Sequence, residues 1–148
     1  MSIKDILDEK HTCHSMVCNR KKRALEKIAQ QFNELDPKLG AKELFDAFIE
    51  RERLGSTGIG EGVALPHCRM TGCTKTIGVL VQLKSGVDFD ALDGKDVDLI
   101  FALVVPAQST QEHLNTLSDI ANAFYKAEFR DALRKTENAE ELYRRAIS

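Results

Sequence analysis

Two apolar runs constrain the fold of this chain more than any other feature. Ile77–Leu83 is apolar apart from Gly78 and Gln82, and Leu99–Val105 has no polar side chain at all. Successive side chains of a strand point to opposite faces, so a run without alternation buries both. Ile77–Leu83 and Asp98–Val105 are therefore expected as central strands, and they need helices on either side.

The remaining sequence supplies those helices. Leu25, Ile28, Phe32 and Leu35 recur at helical spacing, as do Leu44, Phe45, Phe48 and Ile49. They predict helices over about 20–34, capped by Asn19, and about 41–53, separated by Asp36-Pro37 and Gly40. Ser109-Thr110-Gln111-Glu112 has the form of a capping box. It opens a helix over about 110–125 with Leu114, Leu117, Ile120, Ala121 and Phe124 inward. Asn138-Ala-Glu-Glu141 caps a last helix over 139–147, and shorter helices are expected near 128–135 and 3–8. His11–Val17 and Val63–Leu65 read as short strands, and Phe89 and Leu92 mark an edge strand or a turn. Helices precede and follow the strands without strict alternation, which disfavours a doubly wound parallel sheet. The expected fold class is α+β, a three-layer α/β/α sandwich: a mixed β-sheet with helices on both faces. With 148 residues and no repeat, low-complexity tract or linker, one domain is expected over 1–148, its core spanning about 3–146.

Charge and cysteine usage narrow the function. Twenty-one basic against 23 acidic side chains leave a net charge of −2. Nucleic-acid and membrane-surface binders need an excess of positive charge on one face, so no nucleic acid is expected as a partner. The longest apolar run falls far short of the roughly 20 residues that span a bilayer, so no membrane insertion is expected. The start, MSIKDILDEK, lacks the apolar segment of a secretory signal, and a cytoplasmic location with reduced thiols is expected. Cys13 and Cys18, like Cys68 and Cys73, are spaced C-x4-C, and His11 and His14 flank the first pair. A strand there turns His11 and Cys13 one way and His14 the other, which scatters any zinc ligands. The cysteines read as small buried hydrophobes, and neither metal nor cofactor is expected. Lys21, Lys22, Arg23 and Lys27 crowd a helix start, where the dipole disfavours them. A solvated face accounts for them; a docking surface for an acidic partner is the alternative.

The chemistry concentrates between Arg51 and His67. Four of the nine glycines lie from Gly55 to Gly62. This is no Walker A loop, since no Lys-Ser/Thr ends it, and no dinucleotide fingerprint, since a strand rather than a helix follows. Val63-Ala-Leu and then Pro66, expected to end the pairing, present His67 at a strand end on a rigid backbone. Such a histidine can be a base, a ligand or a nucleophile. Its ordinary pKa near 6.5 leaves a neutral nitrogen able to attack phosphorus and carry the group covalently. Arg51 offers a guanidinium fork suited to phosphate, although its place in a last helical turn also complements the dipole. Small residues beside it let backbone N–H groups approach an anion. His113, in the first turn after the buried strand, shares a pocket with His67 if the two strands are neighbours.

Read together, G-S-T-G-I-G-x-G-V-A-L-P-H, Lys21-Lys22-Arg23-Ala24-Leu25-Glu26, Glu43-Leu44-Phe45, Arg51-Glu52-Arg53, Asp98–Pro106 and Glu112-His113-Leu114 resemble the fructose/mannitol-type enzyme IIA (EIIA type-2) domains. These belong to the bacterial phosphoenolpyruvate-dependent phosphotransferase system. The likeness runs from about Ile3 to Ala146 and is greatest to the nitrogen-regulatory branch. It implies that His67 accepts a phosphoryl group from a small histidine-containing phosphocarrier protein, itself charged by enzyme I. It implies that His113 stabilises the phosphohistidine, that Arg51 holds the phosphoryl group, and that Thr57 and Gly58 belong to the binding loop. The phosphorylation state would then regulate partner proteins. A sugar-specific IIA feeding an enzyme IIB is the alternative within the family, and a non-catalytic binding module the alternative outside it. Cys68 departs from the small residue common after the histidine.

Overall fold

The computed structural model describes residues 1–109 and 111–148. Its centre is an antiparallel pair, β5 (Ile77–Val87) against β6 (Val97–Pro106), in the two runs that lack alternation. Strand β1 (Thr12–Met16) adds in parallel to β5. On the other edge, β3 (Val63–Ala64) and β4 (His67–Met70) both pair in parallel with β6, and β2 (Gly58–Gly60) pairs antiparallel with β3. The sheet is thus mixed, with β6 as the register template for three other strands.

Alternation along β6 separates two cores. Ile100, Ala102 and Val104 face α2 (Lys21–Leu35) and α3 (Ala41–Arg53), packing with Leu25, Ile28, Phe32, Leu44 and Phe48. Leu99, Phe101 and Leu103 face the opposite layer of α1 (Ile3–Ile6), α4 (Gln111–Phe124), α5 (Ala127–Arg134) and α6 (Ala139–Ile147). Each β6 side chain from Leu99 to Val105 is fully buried, as expected for a strand covered on both faces. Gln82, the polar side chain in the buried Ile77–Leu83 run, donates its amide to the Leu133 carbonyl at 3.2 Å, so its burial costs no unpaired group.

Several local expectations are corrected. Asn19 does not cap α2: the helix opens one residue later than expected, from Arg20, without a side-chain cap bond. The proposed capping box includes Thr110, which lies outside the described residues. Helix α4 does not turn Leu114 inward. Its buried line is His113, Thr116, Ile120 and Phe124, and Leu114 is 55% exposed, because the first turn faces a polar site rather than core. Of the edge strand or turn expected at Phe89 and Leu92, the turn is what forms: Phe89 is buried and Leu92 fully exposed on a turn. Pro66 does not end the pairing with β6. Its carbonyl accepts from Leu103 N–H at 2.9 Å, and pairing resumes with His67 beside Leu103. A proline lacks only the donor, so its acceptor still serves the ladder.

The glycine cluster is in part a hairpin device. Glu61 and Gly62 join β2 to β3 with φ of 56° and 79°, the left-handed pair a tight two-residue turn needs. Gly78 serves packing instead: a Cβ there would stand 2.7 Å from the Phe101 ring in the filled core. Gly78→Ala is expected to lower unfolding stability by about 1–3 kcal/mol, measured as a reduced urea midpoint at unchanged slope.

Candidate active site

His67 opens β4 directly after the break at Leu65-Pro66, and its ring turns back on its own chain. Nδ1 lies 2.8 Å from the Leu65 carbonyl oxygen. A carbonyl only accepts, so Nδ1 carries the proton and Nε2 the lone pair. Nε2 in turn accepts from Arg51 Nε–H at 3.1 Å. The same guanidinium donates through Nη1 to the Gly55 carbonyl at 3.0 Å, which ties the last turn of α3 to the start of the glycine loop.

His113 reaches the site because α4 follows β6 and β6 is the neighbour of β4. The two imidazole centroids are 5.5 Å apart, with planes inclined at 49°. His113 is buried, and its Nδ1 has no hydrogen-bond partner among the described residues. Arg51, His67, Arg69 and His113 line one cleft of about 530 Å³, rimmed by Leu54 and Leu114. Both rim leucines are largely exposed, Leu54 at 84%.

Thr57 and Gly58 do not line this cleft. The Thr57 N–H and hydroxyl both go to the Glu52 carboxylate, and the Gly58 N–H goes to Ser56 Oγ. The structure thus brings His67, His113 and Arg51 together and leaves the two loop residues outside as backbone support. Lys21 is also not part of a solvated face. It pairs with Glu52 at 2.9 Å and sits over the Phe89 ring, 5.3 Å from its centroid. Sequence reading named Glu52 only within Arg51-Glu52-Arg53, with no role, and did not foresee this pairing, because nothing in the spacing of Lys21 and Glu52 signals their contact.

Burial is the main force on both histidines and pushes each below its ordinary pKa. For His67 the Arg51 charge adds to this, while the bond to Leu65 and the charge of Glu52 oppose it. For His113 the added causes are His67 and Arg69. Both rings are therefore held neutral, and His67 keeps its Nε2 lone pair, which accepts from Arg51. Cys68 borders the cleft but packs into the α2/α3 core, where burial pushes its thiol up to about 12. A thiol so far from ionisation is no nucleophile at neutral pH.

No group of three or more His, Cys, Asp or Glu residues placed to hold a metal occurs among the described residues. His11 and His14 each bond a backbone carbonyl, of Gly78 at 3.1 Å and Thr136 at 2.8 Å. No helix among them is long and apolar enough to cross a membrane.

Residues 5–147 match the family model described as phosphoenolpyruvate-dependent sugar phosphotransferase system, EIIA 2. The chain belongs to this family. A nitrogen regulatory protein of Pseudomonas aeruginosa is 48% identical over 123 residues, covering 83% of this chain and 80% of its own length. The crystal structure of nitrogen regulatory protein IIA-Ntr from Neisseria meningitidis superposes with a TM-score of 0.89 at 40% identity, covering 98% and 97% of the two chains. IIA mannitol from Escherichia coli, at 20% identity, shares the fold with a TM-score of 0.77 over 95% and 98%. The EIIA 2 fold and the likeness to nitrogen regulatory proteins agree with what the motifs imply.

Two outcomes follow for this EIIA 2 site. Below pH 6.5 the unfolded chain protonates His67 and His113 before the folded one does, so stability rises with pH across that window and is lost as pH falls through it. Urea midpoints are expected to drop from about pH 7 to about pH 5, and less steeply in His67→Asn/His113→Asn. Cys68→Ser is expected to leave the phosphoryl acceptance proposed below intact, read by mass spectrometry after incubation with a charged phosphocarrier; loss would mean the thiol takes part.

Proposed function

We propose that this chain, acting as one domain in the cytoplasm, is the phosphohistidine-carrying enzyme IIA of a nitrogen-regulatory phosphotransferase branch. The single observation that carries the reading is the fixed tautomer of His67, with Nδ1–H on Leu65 and the Nε2 lone pair at the cleft.

The chemistry is an in-line transfer between two imidazoles. A small histidine-containing phosphocarrier, charged through enzyme I, presents its phosphohistidine at the cleft. The Nε2 lone pair of His67 attacks phosphorus, the donor P–N bond breaks, and its electron pair returns to the donor nitrogen. Arg51 gives up its bond to Nε2 and moves its donors to the phosphoryl oxygens, a match of fork to anion. His113, whose buried Nδ1 has no partner among the described residues, supplies a donor to the same oxygens. No metal and no proton-transfer residue is needed, because one P–N bond replaces another. The exposed leucines at the rim fit a brief, partly apolar docking surface. The phosphoryl charge then alters which partner proteins bind. This face of the reading rests on the likeness to nitrogen regulatory proteins.

Incubation with phosphoenolpyruvate, enzyme I and phosphocarrier is expected to add one acid-labile phosphoryl group, absent in His67→Ala. Arg51→Met is expected to slow acceptance about a hundredfold while leaving the fold unchanged by circular dichroism. A wild-type chain that stays unmodified with competent carriers overturns the proposal. Efficient transfer onward to a fructose- or mannitol-type IIB overturns the regulatory branch.

A further inference from the structure

We propose that Glu52, which touches neither the cleft nor a substrate, is a positioning residue that sets the tautomer of His67 through Thr57 and Leu65. The inference rests on the functional reading above.

Glu52 is a carboxylate with only 6% of its side chain exposed. A buried charge persists only with its lone pairs satisfied. Oε1 receives Lys21 Nζ at 2.9 Å and Thr57 N–H at 3.1 Å, and Oε2 receives the Thr57 hydroxyl. Thr57 is thereby gripped by main chain and side chain at once. Its own carbonyl accepts from Leu65 N–H at 2.9 Å, and the Leu65 carbonyl accepts His67 Nδ1–H at 2.8 Å. An unbroken path of hydrogen bonds therefore joins the buried ion pair to the nucleophilic ring.

The path matters because of where Leu65 lies. It sits between β3 and β4, outside the ladder, and Pro66 beside it has no N–H. Both of its backbone polar groups are committed to this route. The segment from Gly55 to Gly62 is too rich in glycine to hold Thr57 by its own torsions. The grip of Glu52 is in turn held by the β5–β6 connection: Lys21 Nζ donates to the Phe89 carbonyl at 3.4 Å, and Ser56 Oγ–H donates to the same oxygen.

A neutral imidazole has one ring lone pair, and its position decides the reaction. With the proton on Nε2, the lone pair would face the Leu65 carbonyl and nothing at the cleft could attack phosphorus. Holding that carbonyl at Nδ1 keeps the proton there. A clamp that merely joined helix to loop would stabilise the protein without moving the tautomer.

Long-range 1H–15N NMR of the unphosphorylated protein separates these cases. Wild type is expected to show the Nδ1–H tautomer almost alone. Glu52→Gln and Thr57→Val are expected to show mixed tautomers and transfer roughly tenfold to a hundredfold slower, and Thr57→Ser, which keeps the hydroxyl, to keep the wild-type tautomer. A folded Glu52→Gln with an unmixed Nδ1–H tautomer overturns the proposal. If Glu52→Gln fails to fold with the Lys21 charge deprived of its buried partner, Glu52→Gln/Lys21→Met removes both charges and Thr57→Val leaves the pair intact. An unmixed tautomer in either of these overturns it equally. The NMR arm needs no phosphoryl donor, so an unphosphorylatable wild type would sink the functional reading while leaving the tautomer result to stand or fall by itself.

Discussion

The architecture depends on the double burial of β6. Both faces of that strand are apolar, so each must be covered, and the two helical layers follow from this need alone. Three other strands take their register from it, which fixes where β4 begins and hence where His67 stands. The helix that follows β6 then has no choice but to deliver His113 to the same end of the sheet. One strand thus builds the core and brings together two residues 46 positions apart, one from the strand paired with it and one from the helix that follows it.

The site joins rigidity to restraint. In the proposed function the nucleophile, His67, is fixed not by a general base, as in hydrolytic enzymes, but by a backbone carbonyl two residues upstream. That economy suits a carrier, which must accept a group and surrender it again. A strongly basic neighbour would bind the adduct too well, and a strongly acidic one would repel it. The small net charge of the chain and the local concentration of cation in Arg51 and Arg69 reflect the same balance.

Much of this was legible in the sequence where the signal is local or periodic. Helix α3 and the terminal helix α6 fall where apolar spacing and the Asn138 cap placed them, with Asn138 accepting from Glu141 N–H at 2.8 Å. The pairing of His67 with His113 needed only that two strands be neighbours, which their apolar content made natural. What escaped reading was long-range and polar. The inward turn of His113 and Thr116 in place of Leu114 depends on what the first turn of α4 faces, not on its hydrophobicity. Lys21 looked solvated because its partner Glu52 lies on another helix. The strand at His67 was missed because Pro66 stops one hydrogen bond, and one is too few to stop a strand that has β6 beside it.

In the proposed function, the contact between Arg51 and the His67 lone pair has a consequence for selectivity. At rest the reactive electron pair is masked, so small stray electrophiles meet a hydrogen-bonded nitrogen rather than a bare one. A visitor that brings its own anion offers the guanidinium a better partner and unmasks the ring in the same movement. The arginine therefore works as a password check: the nucleophile is released by the very charge it is meant to receive.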